Sequence, residues 1–531
     1  MDGTITPRHD TTPGNAVAWF LDRHAAEGRG DALAFTDPHR SLTYAALAEA
    51  SARFAGGLRA AGIRRERRML MLLLDTVDFP VAFWGALRAG VVPVPVNTLL
   101  TPEQVAYALK DSRAEAVVVS APLLAALASV LSSSPWLRLL LVAAPDGAPM
   151  SELPAGARDF ARFLDEAQPA PGAVAASPDE VAFWLYSSGS TGAPKGTKHV
   201  HGSLRATAET YAARVLGIRA DDVVYSAAKL FFAYGLGNAM TFPMSVGAQA
   251  VLLPDRPSPD AVLAAMARHR PTLFCGVPTL YASLLAHPGL GRGAGSDRLR
   301  LCVSAGEALP EHVGERWAAA VGADILDGIG STEMLHIFVS NRPGAIRYGT
   351  TGTAVPGYDL RVVDEADRDV PQGEVGELLV RGPSAAEGYW NQRDKSRRTF
   401  QGEWTRTGDK YAQDADGRYR YQGRTDDMFK VSGIWVSPFE VEAALMTHPA
   451  VQEAAVVGRE DADGLTKPMA FVVLKDRAGA APDRAVTEAL QAHVKERCGL
   501  WKYPRWIEAV DDLPKTATGK IQRFKLRAGF A

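Results

Sequence analysis

Tyr186-Ser-Ser-Gly-Ser-Thr-Gly-Ala-Pro-Lys-Gly196 follows directly on the apolar run Val181-Ala-Phe-Trp-Leu-Tyr186. The apolar run has the composition of a short buried strand. Three glycines, three serines and a threonine then surround Lys195. Glycine permits close approach of backbone to a ligand, and hydroxyls with main-chain N–H groups can donate to phosphate oxygens. Lys195 adds positive charge at the end of the loop. The spacing from Gly189 to Lys195 matches a Walker A loop, yet Pro194 stands where that loop needs glycine and Gly196 where it needs Ser or Thr. The segment therefore reads as a strand leading into a phosphate loop of another type, with a solvated linker as the bland alternative.

The rest of the chain bounds this reading. With 531 residues, two or more domains are expected. The composition is 47% apolar and 22% charged with net charge −2, which gives no electrostatic case for nucleic acid. Arg64-Arg65-Glu66-Arg67-Arg68 reads as a solvated surface. Cys275, Cys302 and Cys498 are too few and too scattered for a disulfide framework or a zinc site, and each reads as a small buried hydrophobe. The first ten residues lack the apolar core of a signal peptide, and the apolar stretch 116–131 is too short and interrupted to span a bilayer. A cytoplasmic enzyme without a membrane partner is the expectation.

Apolar periodicity sets the fold class. Helical spacing over Leu42 to Ala61, a buried strand at Met69–Leu74, a helix over Phe79 to Ala89 capped by Gly90, and extended Val91–Val96 alternate in order. Strand signals recur at Glu115–Ser120 and Leu139–Ala143. This pattern predicts an α/β fold of parallel sheets covered by helices. After about residue 340 strands and turns dominate, as in Asp359–Asp364 and Gly373–Arg381, predicting a β subdomain. A small α+β unit with strands Val451–Val457 and Met469–Leu474 and a helix Arg484–Arg497 closes the chain. The division is placed at 1–425 and 426–531.

Further motifs occur in a fixed order: Ser304-Ala-Gly-Glu-Ala-Leu-Pro310, Asp327-Gly-Ile-Gly-Ser-Thr-Glu333, Thr405-Arg-Thr-Gly-Asp409, Gly423-Arg-Thr-Asp-Asp427 and Leu513-Pro-Lys-Thr-Ala-Thr-Gly-Lys520. Together with the loop at 186–196 they resemble the adenylate-forming enzymes: acyl- and aryl-CoA ligases, luciferases and peptide-synthetase adenylation domains. The resemblance implies that Ser187, Ser188, Ser190, Thr191 and Lys195 bind ATP phosphates, with Gly306, Glu307 and Asp327 on the nucleotide. Thr332 would donate to the α-phosphate, and Glu333 would offer the hard oxygen that Mg²⁺ prefers. Ile329 replaces an aromatic found in many relatives, which removes an argument for stacking on adenine. Asp409, an acceptor suited to both ribose hydroxyls, would hold the sugar with Arg424. Lys520 would bridge carboxylate and phosphate during adenylation, whereas Lys515 reads as a solvated neighbour. The small C-terminal domain would be mobile, rotating about Asp426 to exchange the Lys520 loop for the Lys430 to Gly433 face. Gly433 would then line the channel for CoA.

Phe231-Phe-Ala-Tyr-Gly-Leu-Gly237, Cys275–Tyr281 and Met334-Leu-His-Ile-Phe338 closely resemble benzoate-CoA ligases. That likeness implies an aromatic acid pocket formed by Phe232, Ala233, Tyr234, Gly328, Ile329, Gly330, His336 and Ile337. For Phe231 and Phe232 ordinary core is an equal alternative, and His336 could cap the pocket or be a satisfied core histidine. The expected reaction is benzoate + ATP + CoA → benzoyl-CoA + AMP + PPi. Hydroxy-, amino- or fluorobenzoates and small cyclic acids are the runners-up. A non-catalytic nucleotide binder and luciferase-like oxygenation are rivals of other classes. Assembly is open, a homodimer being one expectation.

Overall fold

The computed structural model describes residues 14–148, 150, 152–189, 192–425, 427–431, 434–462, 465–475, 484–499, 501–515 and 521–529. The largest sheet runs in the order Thr353–Ala354, Ile337–Ser340, Ile325–Gly330, Leu301–Ser304, Leu273–Gly276, Val223–Ser226, Gln249–Val251, Leu33–Thr36, Ser41–Thr43. Its inner strands, from Ile325–Gly330 across to Leu33–Thr36, are parallel, and antiparallel strands close both edges. A second sheet, Val92–Pro95, Arg68–Leu72, Ala116–Ser120, Leu139–Ala143 and Ala157–Asp159, is parallel throughout. Strands such as Ala116–Ser120 and Leu273–Gly276 are buried along their whole length, which is why they read as continuous apolar runs.

Helices fill the space around these sheets. Every residue of Asp78–Ala89 is buried, and Gly90 ends that helix in a left-handed conformation at φ 74°, the cap the sequence predicts. Tyr44–Ala60 begins at Thr43, whose side chain accepts from the Ala46 N–H. The two helices touch closely at Gly85, where a Cβ would come within 2.7 Å of the Phe54 ring. Across the chain, predicted and observed elements differ by a few residues at their ends.

The β subdomain is antiparallel: Asp359–Val363, Gly376–Arg381, Trp404–Gln413 and Tyr419–Arg424, with Phe400–Gln401 on Trp404–Gln413. In the C-terminal region a hairpin pairs Phe429–Val431 with Ile434–Val436. Beside it lies the sheet Val451–Glu460, Thr466–Leu474 and Trp506–Ala509, covered by Pro438–Met446 and Arg484–Cys498. Asp426, placed by the sequence at the boundary, is outside the described residues. Among the described residues no helix is long and apolar enough to cross a membrane.

Three sequence readings need correction. Of the stretch after Tyr186, the described residues are strand and not loop: Val181–Gly189 extends to Gly189 and pairs with Gly192–Val200. Arg64 to Arg67 are exposed as expected, but Arg68 is half-buried: its guanidinium lies over Trp184 and Trp390, and its Nε donates to Ser112 O at 2.7 Å. Cys498 is half-buried rather than core.

Candidate active site

The phosphate-loop segment is held rigidly at its base. Phe183, Trp184 and Leu185 are buried, and Tyr186 donates to the Asp111 carboxylate at 2.7 Å. Tyr107 donates to Pro194 O at 3.0 Å. The antiparallel register sets Ser187 opposite Lys195, and Gly388–Tyr389 pairs with the outer edge, Tyr389 opposite Thr197. A third stretch enters from the large sheet, where the turn after Ile325–Gly330 carries Thr332 and Glu333. The His199 ring bonds to Thr332 O at 2.9 Å and fixes this turn to the hairpin.

The result is a small charged cluster. Lys195 Nζ stands 3.7 Å from Glu333 Oε1. Ser187 Oγ reaches the same oxygen at 3.5 Å, and the Tyr389 hydroxyl donates to it at 2.7 Å. Ser187, Lys195, Thr332 and Glu333 are therefore gathered as the sequence expects. Ser190 and Thr191 lie outside the described residues, as do Gly433 and Lys520. Ser188 and Lys430 are placed only as strand residues.

The residues that the sequence places on the nucleotide sit at strand ends. Ser304 and Asp327 are paired neighbours in the parallel sheet, so Gly306 and Glu307 leave the sheet beside Asp327–Gly330. Open α/β sheets bind ligands beyond the carboxyl ends of their parallel strands. Gly306 has φ 98°, a conformation that suits glycine. Asp327 Oδ1 is buried with no hydrogen-bond partner among the described residues, and burial pushes the carboxyl up to about 8. Backbone N–H groups of Leu309 and Gly328 oppose this shift without cancelling it. A carboxyl raised in the folded state favours folding fully below the usual carboxylate range, and that contribution fades as pH rises through about 8. Asp327→Asn, which keeps the neutral form, should flatten this dependence. Between pH 6 and 9 the wild-type Tm should fall more than the variant's, by on the order of 2 °C; parallel melting curves would refute the assignment.

Asp409 and Arg424 face each other across Trp404–Gln413 and Tyr419–Arg424. Arg424 Nη1 donates to Asp409 Oδ1 at 3.1 Å and to Thr407 O at 3.0 Å. The Arg424 charge also acts weakly on the Tyr389 phenol, opposing the burial and the Glu333 charge that raise it.

The aromatic residues form a neighbouring layer. The His336 ring is 3% exposed and packs among Tyr211, Tyr234 and Phe242, with centroids 5.2, 5.8 and 4.4 Å away. Burial lowers the imidazole to about 3, so it is neutral at working pH. Its Nε2 lies 3.4 Å from Tyr234 O, a weak bond, and Nδ1 has no partner among the described residues. The Tyr234 hydroxyl donates to the strand-end carbonyls of Gly276 or Val303, at 3.1 and 3.0 Å. Phe231 is buried, Phe232 and Ala233 are half-buried, and the two phenyl rings meet at 4.5 Å. Gly328, Ile329 and Gly330 pair with Ile337–Ser340, and a Cβ on Gly330 would lie 2.5 Å from His336 O. These glycines are needed for the hairpin itself, and Ile337 is buried within it.

Comparison with known proteins places this architecture. The AMP-binding enzyme model matches residues 21–390, and the AMP-binding enzyme C-terminal domain matches 440–520. The chain belongs to the AMP-binding enzyme family. Within that family it is 54% identical to a benzoate–CoA ligase of Thauera aromatica, over 97% of this chain and 96% of the relative. It is 53% identical to a 4-hydroxybenzoate–CoA/benzoate–CoA ligase of Rhodopseudomonas palustris, over 97% and 94%. The crystal structure of a benzoate CoA ligase from Burkholderia xenovorans LB400 superposes with a TM-score of 0.88 at 53% identity, covering 97% of this chain and 99% of that one. An anthranilate CoA ligase in complex with anthranoyl-AMP gives 0.90 at 42% identity, covering 97% of each.

Two further points separate this member of the family from its sequence reading. Lys515 is no solvated neighbour: its Nζ is tied to Glu453 at 2.6 Å and Asp512 at 3.1 Å. Tyr389, at the centre of the charged cluster, is absent from the sequence-derived site. The Gly388-Tyr-Trp390 triplet after a predicted β region was its only signal, and aromatic triplets are common in cores.

Proposed function

We propose that this chain is an AMP-forming ligase that converts benzoate, ATP and CoA to benzoyl-CoA, AMP and pyrophosphate through benzoyl-adenylate. The observation that carries the reading is identity above half, over nearly the whole chain, to ligases named for benzoate. The gathered Ser187–Lys195–Glu333 cluster and the Asp409–Arg424 pair support it. The chain is proposed to divide near Asp426, with the C-terminal part turning between half-reactions.

The residues divide the work by their chemistry. Lys195 and Ser187 neutralise and orient the phosphates of ATP, and Asp409 with Arg424 fixes the ribose. Asp327, neutral and with an open oxygen, accepts from the base. Among the described residues no three His, Cys, Asp or Glu side chains form a preformed metal cage. Mg²⁺ is ordinarily held by one or two carboxylates together with substrate phosphates and water, which fits Glu333, whose protein contacts named above all fall on Oε1. When bound there, Mg²⁺ supplies charge neutralisation at the phosphates. Thr332 donates to the α-phosphate, and Lys520 offsets the charge that builds as the carboxylate attacks phosphorus. The CoA sulfur then displaces AMP, with Lys430 and Gly433 on the channel side.

Phe232, Ala233, Tyr234, Ile329 and His336 enclose the ring. Burying a phenyl group gains about 2–3 kcal/mol, which acetate cannot match, and a neutral His336 adds no charge to an apolar wall. AMP release across a panel of acids tests this: benzoate should exceed acetate, hexanoate and palmitate in kcat/KM, and faster turnover of any linear acid would sink it. The Rhodopseudomonas palustris relative favours a second reading, 4-hydroxybenzoate as an additional substrate, so the panel includes that acid. The cytoplasm is the proposed location.

A further inference from the structure

The Tyr389 hydroxyl lies between two charges that both have to be released to a nucleotide. It has one proton. The closest acceptor is Glu333 Oε1 at 2.7 Å, so the proton goes there. A lone pair then faces Lys195 Nζ at 3.2 Å, and Thr399 Oγ1, 3.4 Å away, is the weaker alternative acceptor for the proton. Lys195 also sits 4.4 Å from the centroid of the tyrosine ring. Burial and the Glu333 charge both raise the phenol above its ordinary range, so it stays a donor.

The tyrosine is itself anchored from several sides. Its N–H donates to Ser396 Oγ at 2.9 Å, and its ring packs on Phe400 at 5.4 Å. On either side, Ala386 N donates to Glu333 O at 2.8 Å and Trp390 N to Gly196 O at 2.8 Å. The short strand thus physically joins the phosphate hairpin to the Glu333 turn.

We infer that Tyr389 is a positioning residue for ATP–Mg²⁺ binding: its hydroxyl keeps Lys195 and Glu333 from closing from 3.7 Å to a hydrogen-bonded contact and holds each where a phosphate and a cation take over. The inference rests on the ligase reading above. A lysine and a carboxylate only 3.7 Å apart attract strongly in a partly buried site. A direct pair would have to be broken each time a nucleotide entered. The hydroxyl bonds to both without consuming either, since Lys195 can leave for phosphate while the Glu333 bond remains.

Tyr389→Phe keeps the ring and removes only the hydroxyl. Isothermal titration calorimetry of ATP with Mg²⁺, without benzoate or CoA, should show binding weakened about tenfold, the scale of a lost hydrogen bond to a charged group. The Mg²⁺ concentration for half-maximal benzoate-dependent pyrophosphate exchange should rise by a similar factor, with kcat at saturation changed less than about threefold. In a Glu333→Gln background the same substitution should shift binding less than about twofold, because the partner it acts through is already altered. Thr399→Val, which leaves the bond to Glu333 in place, should bind ATP–Mg²⁺ as wild type. Unchanged binding in Tyr389→Phe, or an equal loss in both backgrounds, overturns the inference. Wild-type protein that failed to bind ATP–Mg²⁺ at all would instead overturn the nucleotide reading beneath it.

Discussion

Lys520→Ala slows benzoyl-adenylate formation by roughly 10²–10³-fold, the usual loss when one electrostatic donor to a transition state is removed, while CoA attack on supplied benzoyl-AMP is largely spared. The charge argument is specific to the first half-reaction. A carboxylate and an α-phosphate must approach each other, and negative charge gathers on the phosphoryl oxygens as the new bond forms. The second half-reaction has a neutral carbonyl and a good leaving group, so a bridging cation matters less. The surrounding chain narrows the choice of lysine. Lys515 is already engaged by Glu453 and Asp512. Beyond the loop, Arg523 grips Glu442 with Nη2 at 2.9 and 2.7 Å from its two oxygens and with Nε at 3.1 Å, and Arg527 reaches Asp427 at 3.0 Å. These anchors survive the substitution, so the variant should melt as wild type. Pyrophosphate exchange and thioester formation from benzoyl-AMP are measured separately; equal losses in both would contradict the assigned role.

Gly433→Leu has the opposite signature. Pyrophosphate exchange persists, while benzoyl-CoA formation falls by about 10²-fold or more, the scale expected when a reacting group is displaced by an ångström. Strand Phe429–Val431 pairs with Ile434–Val436, and Ser432-Gly433 is the two-residue connection between them. Val431 and Val436 are buried, which roots the two strands in the C-terminal core. On the proposed assignment of Gly433 to the CoA channel, a leucine there obstructs CoA and leaves ATP and benzoate binding intact. Two-residue hairpin connections commonly need φ > 0, and leucine in such a position would also strain the turn. A thermal melt separates that effect from channel blockage. Normal benzoyl-CoA synthesis by a stably folded variant would remove Gly433 from the channel.

The fold was legible where side-chain periodicity is enforced by burial. Ala116–Ser120 and Asp78–Ala89 are buried along their length, so their apolar runs, and the Gly90 cap, could be read directly. The phosphate segment misled because serine and glycine are read as loop formers, yet cross-strand pairing with Gly192–Val200 overrides that local preference. Arg68 and Lys515 misled for a related reason. A cation in a charged stretch looks solvated until the fold brings Trp184 and Trp390, or Glu453, to meet it. The candidate site divided the same way. Ser187, Lys195 and Glu333 carry motif signals and converge as expected, whereas Tyr389 gains its place only through long-range pairing with Thr197 and a bond to a residue 56 positions away.

The glycines that line the aromatic layer also set the direction in which this protein's specificity can be altered. A Cβ on Gly237 would fall 2.4 Å from the His336 ring, on Gly330 2.5 Å from a backbone carbonyl, and on Gly235 2.1 Å from Lys229 O. None of the three positions can gain even a methyl group without moving its neighbours. With the acid pocket proposed above, a change toward larger acids is expected from trimming Phe232, Ile329 or His336, whereas substitutions at these glycines are expected to lower Tm.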